Sequence, residues 1–215
     1  MASLFNFDYV TPVTIKNNEP RFITDTQSLR RQSVRTGAQR WELDISFRGG
    51  KHDNLYGVFQ AHFMEYGLET PFYIPMPQNQ AAKSRYNREG TIELSANTVG
   101  ANSAGDNSVN LTSDFDFTIP AGWFIKFESH DKVYMTTKEV SFTAGGSPVN
   151  LTIAPALQAS ARPNGDTTGV TSDEALAESD DGVLIKVKHE VTNSTVSYTE
   201  GYMQSVSWSF VESLS

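Results

Sequence analysis

Apolar and polar residues alternate at spacing two over much of the chain. The clearest run is Trp41-Glu42-Leu43-Asp44-Ile45-Ser46-Phe47. Trp41, Leu43, Ile45 and Phe47 fall on one side and Glu42, Asp44 and Ser46 on the other, which predicts a half-buried strand. Thr36-Gly37-Ala38-Gln39 reads as a turn, making residues 28–35 the expected hairpin partner of 41–47. The alternation returns near the C-terminus at Val183, Ile185 and Val187. It returns again at Val206, Trp208 and Phe210, set between Ser205, Ser207 and Ser209. The period changes once. Leu55, Val58, Phe59, His62, Phe63 and Tyr66 recur at helical spacing, with Asp53 in the N-cap position and Gly67 at C′. Pro71-Phe72-Tyr73-Ile74-Pro75 predicts a short edge strand, because proline cannot donate to a ladder.

The middle of the chain has a different texture. Residues 75–90 are rich in Pro, Asn and Gln and mark a domain boundary. Five short apolar segments follow, at 91–94, 109–111, 123–128, 132–136 and 149–153, separated by turn residues. They predict a small barrel of OB type. Residues 160–182 are polar and acidic and read as a loop or second linker. Both ends of the chain therefore look like one sheet, and the expected topology is an insertion. Residues 1–88 with 181–215 form the outer domain, and 89–180 the inserted barrel. Val109-Asn110-Leu111-Thr112 recurs as Val149-Asn150-Leu151-Thr152. Both copies should open strands after polar turns; two copies do not make a solenoid.

Composition narrows the function. The 215 residues hold 13 Phe, 8 Tyr and 3 Trp, too aromatic for a disordered chain. With no cysteine, disulfide frameworks, thiolate metal sites and cysteine catalysis are excluded. No apolar run is long enough for a membrane helix. The first residues lack the basic and apolar regions of a signal peptide. Net charge is −8, which argues against a dedicated duplex nucleic-acid binder. The charge is uneven: residues 1–51 carry eight Lys/Arg against five Asp/Glu, leaving nine against twenty elsewhere. A basic region on an acidic chain suits packing between copies, though a solvated face has equal claim.

Catalytic motifs are missing. Gly49-Gly50-Lys51-His52 is not a phosphate loop, and there is no GxGxxG unit or GxSxG elbow. His62 and Glu65 share a helical face but lack the second histidine of a zinc helix. The acidic stretch 173–181 lacks the calcium-loop register. Asn110, Asn150 and Asn193 begin formal glycosylation sequons, expected to be idle without a signal peptide. No catalytic residue, metal ligand or cofactor is predicted. The strongest binding candidate is an aromatic platform of Trp123, Phe124, Phe127 and Tyr134, for sugar or single-stranded nucleic acid. The competing reading, favoured here, has alternate residues Trp123, Ile125 and Phe127 filling the barrel.

Several stretches resemble the distal tail proteins of long-tailed bacteriophages. At the N-terminal end these are Arg35-Thr36-Gly37-Ala38-Gln39-Arg40-Trp41-Glu42-Leu43, the helix that follows, and the Pro71–Pro75 segment. The middle block, at 119–127, 132–134 and 151–157, resembles the OB-like insertion of some of these proteins. Val206-Ser207-Trp208-Ser209-Phe210-Val211-Glu212 resembles the family's final strand. The resemblance implies a mainly-β fold: a β-sandwich of tail-tube type with one α-helix, plus an inserted small OB-like barrel. It implies a structural virion protein, assembled in the host cytoplasm. Such a protein forms a ring, usually hexameric, joining the tail tube to the tail tip or baseplate hub. The inserted domain would be free to meet a glycan or an accessory tail fibre. Arg30, Arg31, Arg35 and Arg40 are the expected inter-subunit contacts, because ring subunits need exposed strand edges or long hairpins. The alternative from a different class is a carbohydrate-binding module that attaches its bearer to a cell surface.

Overall fold

The computed structural model describes residues 10–25, 31–35, 39–48, 55–76, 95–100, 102–113, 116–127, 130–160, 167–169, 183–190, 198–199, 202–203 and 205–214. In chain order, β1 (Val10–Asn18), β2 (Arg21–Asp25), β3 (Arg31–Arg35) and β4 (Arg40–Arg48) precede α1 (Leu55–Tyr66) and β5 (Phe72–Pro75). The middle holds β6 (Ser95–Thr98), β7 (Ser108–Thr112), β8 (Phe117–Ile119), β9 (Phe124–Phe127), β10 (Val133–Thr136), β11 (Val140–Phe142), β12 (Val149–Ala154) and β13 (Thr167–Gly169). The chain ends with β14 (Leu184–His189), β15 (Tyr198–Thr199), β16 (Tyr202–Met203) and β17 (Ser205–Glu212). Among the described residues the protein is mainly β with one helix, the class expected from the alternation. Its contacts divide it into two compact units, Met1–Phe72 with Val187–Ser213 and Tyr73–Lys186 with Leu214–Ser215. The boundaries expected at 88/89 and 180/181 lie outside the described residues.

A five-stranded sheet in the order β1-β4-β17-β14-β5 joins the two ends of the chain. Alternation sets its faces. In β4, Trp41, Leu43, Ile45 and Phe47 are buried at 0–4% exposure. The β17 register places Trp208 opposite Ile45, Phe210 opposite Leu43 and Val206 opposite Phe47, so all six share the core face. Helix α1 supplies residues against that face: His62 stacks on Trp208 at 5.7 Å, and Phe63 meets His189 at 5.1 Å. Gly67 ends the helix with φ +50, its N–H donating to the Phe63 carbonyl at 2.9 Å. That is the left-handed C′ position foreseen for it. Asp53, the expected N-cap, lies outside the described residues. β5 is at the sheet edge, as its prolines require.

One pairing differs from expectation. Residues 31–35 do not pair with 41–47. β4 pairs instead with β1, Ile15 opposite Leu43 and Val13 opposite Ile45, while β3 pairs with β2. The turn expected at 36–39 lies mostly outside the described residues, and β3 pairs with the strand before it in the chain rather than the strand after it. The reason is apolar content: β1 sets Val13 and Ile15 beside the core row of β4, whereas 28–35 has only Leu29 and Val34 to give. Local turn chemistry lost to long-range burial.

The middle strands close into an antiparallel barrel in the order β10-β12-β7-β6-β13-β9. Five strands were expected; the closed ring has six. Segment 91–94 lies outside the described residues, and the strand β6 follows it. β13 falls in the polar stretch expected to be a loop. Its Thr-Thr-Gly sequence has no alternation to detect, yet it bridges β6 and β9 and so completes the ring. The interior is filled by Val109, Leu111, Ile119, Ile125, Phe127, Tyr134, Leu151, Ile153 and Leu157. β8 and β11 pair separately, with Phe117 stacked on Phe142 at 4.7 Å.

The repeated Val-Asn-Leu-Thr acquires a structural meaning. Its two copies are neighbours, β7 and β12, and Asn110 lies opposite Asn150. The Asn150 amide donates to the Asn110 side-chain oxygen at 3.3 Å. Antiparallel pairing centred on these asparagines is a local two-fold arrangement, so Val and Leu of each copy enter the barrel. The likeness extends upstream. Ser103-Ala104-Gly105-Asp106 and Thr143-Ala144-Gly145-Gly146 both close with an N–H from the fourth residue to the first carbonyl, at 3.1 and 2.9 Å. Gly105 and Gly145 both have positive φ, +93 and +61. Two turn-strand units of similar sequence therefore build one side of the barrel.

Candidate functional site

The site expected from the basic residues is a strand arm. β1 and β4 pair as far as Asn18 opposite Arg40. The ladder resumes with Arg21 opposite Arg35 and runs to Asp25 opposite Arg31. The described strands thus pair in two successive ladders, with Glu19-Pro20 between β1 and β2, where proline removes a donor. β17 flanks only the arm's base, from Arg48 to Glu42. The distal part, β2 with β3, is a two-stranded sheet that shares no ladder with another strand among the described residues. Every residue of β2 is exposed. Phe22 is 72% exposed and Ile23 51%. A two-stranded ribbon is marginal by itself in water, and adjacent exposed apolar residues add to that cost.

The four candidate arginines divide along this arm. Arg31 and Arg35 lie at the two ends of β3, and Arg40 opens β4 with an exposed side chain. Arg30 lies outside the described residues. Arg21, not among the candidates, faces Arg35 in the register and pairs through its guanidinium with Glu19. Phe22 and Ile23 were missed at the sequence level. The available signal was two adjacent apolar residues following Pro20 in a polar stretch, which breaks the period of a one-sided strand.

The sheet's outer face is polar and internally paired near the arm's base. Lys16 meets Asp44 at 2.5 Å. Ser209 donates to Asp44 at 2.6 Å, and the Asn18 amide to Glu42 at 2.6 Å. The hydrogen bond from Lys16, then that from Ser209, holds the Asp44 carboxyl below its ordinary value. Ser46 and Ser207 share a hydroxyl contact at 2.8 Å across the β4–β17 ladder.

The aromatic platform expected on the barrel is corrected. Phe124 is 6% exposed, and Phe127 and Tyr134 are 0% exposed. Trp123 is half-buried and packs against the barrel core. Phe127 meets Tyr134 edge-on at 5.4 Å. The Tyr134 hydroxyl contacts His130 Nδ1 at 2.9 Å and accepts the Gln158 N–H at 3.1 Å. Phe127 and Tyr134, turned inward with Ile125, offer no face to a sugar or base, while Phe124 is buried on the opposite side of β9. The cause is the closure of the barrel, which makes the inward row of β9 and β10 core. Lys126 lies 5.0 Å from the Tyr73 ring centroid.

Among the described residues no group of three or more His, Asp or Glu is placed to hold a metal ion. His62, the candidate half-ligand, lies in an aromatic cluster, while Glu65 is exposed. No helix among the described residues is long and apolar enough to cross a membrane. Compared with protein-family models and with curated proteins, the sequence matches none.

Proposed function

We propose that this chain is a structural virion protein that assembles into a ring, hexameric by its resemblance to distal tail proteins. The ring joins a phage tail tube to the tail tip or baseplate hub. The observation that carries the reading is the distal arm, β2 with β3. It has exposed Phe22 and Ile23, and it belongs to the chain's basic region while the remainder is acidic. An exposed ribbon of that kind is suited to lie on an adjoining copy, whose surface would cover the apolar pair and meet the arginines. A closed ring repeats one such heterologous contact at every interface. No catalytic role is assigned. Against the carbohydrate-binding alternative stands the burial of Phe127 and Tyr134, two of its four platform rings, in the barrel core.

The test is the mass in solution, by light scattering coupled to size exclusion. Six copies of a 23.8 kDa chain give about 143 kDa. That mass, either alone or on addition of a tail-tube or hub protein, supports the reading. A chain that stays monomeric with both partners, yet retains a glycan on an array, would overturn it.

A further inference from the structure

We propose that His62 and His189 form an acid-operated latch holding helix α1 on the sheet: protonating the pair releases the helix from β14 and β17 before the strands separate. The inference concerns the interior of the first unit and does not rest on the ring reading.

His189 belongs to the core row of β14 and is 3% exposed. Four rings enclose it: Phe63 at 5.1 Å, Phe72 at 5.2 Å, Trp208 at 5.2 Å and Phe210 at 5.0 Å. Neither ring nitrogen of His189 has a hydrogen-bond partner among the described residues. His62 enters from the helix. It stacks on Trp208 with planes 21° apart, meets Phe72 edge-on at 4.8 Å, and lies 5.7 Å from His189. Two imidazoles thus form much of the described contact between α1 and the sheet.

Among the described residues, the charged groups on the packed elements are exposed, on another face or paired elsewhere. On α1, Tyr66 packs on His62 at 4.6 Å, and Glu65 is exposed. On β14, Lys188 lies on the alternate face, Lys186 pairs with Asp131, and Glu190 beyond the strand is exposed. On β17, Glu212 shares the core face, but its carboxylate accepts the Trp41 N–H at 3.1 Å, and its register partner is Val187. On β4, Glu42 and Asp44 occupy the outer face, and on β5 Tyr73 is exposed. Each described ring contact of the pair is aromatic. An imidazolium at His189 would lose hydration and meet no hydrogen-bond partner among the described residues, and two charged rings at 5.7 Å would repel each other.

Burial accordingly lowers both histidines from 6.5 to about 4, with His189 lowering His62 further by charge repulsion. A released helix would return both to their ordinary value. The docked state therefore binds fewer protons between pH 6.5 and 4. Docking weakens as pH falls through that window, and is unaffected above it. Helix α1 is the element to yield, since the strands keep their ladders.

The experiment is an acid titration of the full chain from pH 8 to 3.5. It follows the circular dichroism of helix and strand together with tryptophan fluorescence. Loss of helix signal between pH 6 and 4, ahead of the strand signal, is expected. In His62→Phe and His189→Leu chains its midpoint should fall by about one pH unit. An unchanged midpoint, or helix and strand lost together in the wild-type chain, overturns the latch. Should the variants not fold, histidine proton resonances of the wild-type chain decide. Two histidines still neutral at pH 5 support it, and four titrating near 6.5 overturn it.

Discussion

Trp208 shows how much one side chain can carry. It is 1% exposed and touches Phe47 at 5.4 Å besides both histidines. Trp208→Ala should cost about 3–5 kcal/mol in urea denaturation, through lost transfer energy and the cavity left behind. Trp41, 4% exposed on the same face, should fall in that range too. A loss below ~1 kcal/mol at either position would put the residue on the wrong face of its strand. Asp44 is the contrasting case. Its side chain is 38% exposed and that of Lys16 54%, so water screens the pair. Asp44→Asn should cost under ~1 kcal/mol. Folding lowers this carboxyl, so its contribution is present above the ordinary 3.8 and fades as pH drops through and below that value. The difference in stability between Asp44→Asn and wild type should accordingly shrink on acidification, which thermal melts at pH 7 and 3 will show.

At the scale of elements, the arm and the repeated turns make separate predictions. Reversing Arg30, Arg31 and Arg35 to Glu should weaken assembly without unfolding the subunit. Three changes are needed because an exposed pair is worth only ~0–1 kcal/mol. Phe22→Ser with Ile23→Ser should act the same way, and, being exposed, should alter subunit stability by no more than about 0.5 kcal/mol per site. Light scattering that shows unaltered assembly in both variants would remove the arm from the interface. In the barrel, Gly145→Ala meets no atom within 4 Å, so only the backbone conformation at φ +61 resists it. The expected loss is about 1–2 kcal/mol, read as a lower denaturation midpoint.

For the whole molecule, the question is whether the outer strands fold without the middle. β5 and β14 are neighbours in the sheet, and the Met76 N–H donates to the Val183 carbonyl at 2.9 Å. The residues that flank segment 77–182 are therefore joined by a hydrogen bond. A short Gly/Ser linker in its place leaves β5 and β14 whole and shortens the loop, which is entropically favourable. The excised chain should be soluble, unfold in one cooperative transition and retain any assembly. An insoluble product, or a melt without a transition, would show that the outer sheet depends on the barrel.

What was legible in the sequence is what local periodicity encodes. Alternation marked Trp41 to Phe47 and Val206 to Phe210 as core strands, because a pleated strand sends successive side chains to opposite faces. The 3.6-residue spacing ending at Gly67 marked α1 for the same kind of reason. The inward fate of Phe127 was legible too, as the preferred reading of its alternation with Ile125. Pairing was not legible. Which strand lies beside β4 depends on Val13 and Ile15 completing an apolar row, a choice made by burial between distant segments. β13 has no pattern of its own, and only closure of the barrel makes Thr167–Gly169 a strand. The exposure of Phe22 and Ile23 is likewise a tertiary outcome. The same two residues in a flanked strand would place one side chain in a core, and here the ladder beside them ends. His62 and His189, 127 positions apart, meet only because helix and sheet pack, and packing is what removes water from both.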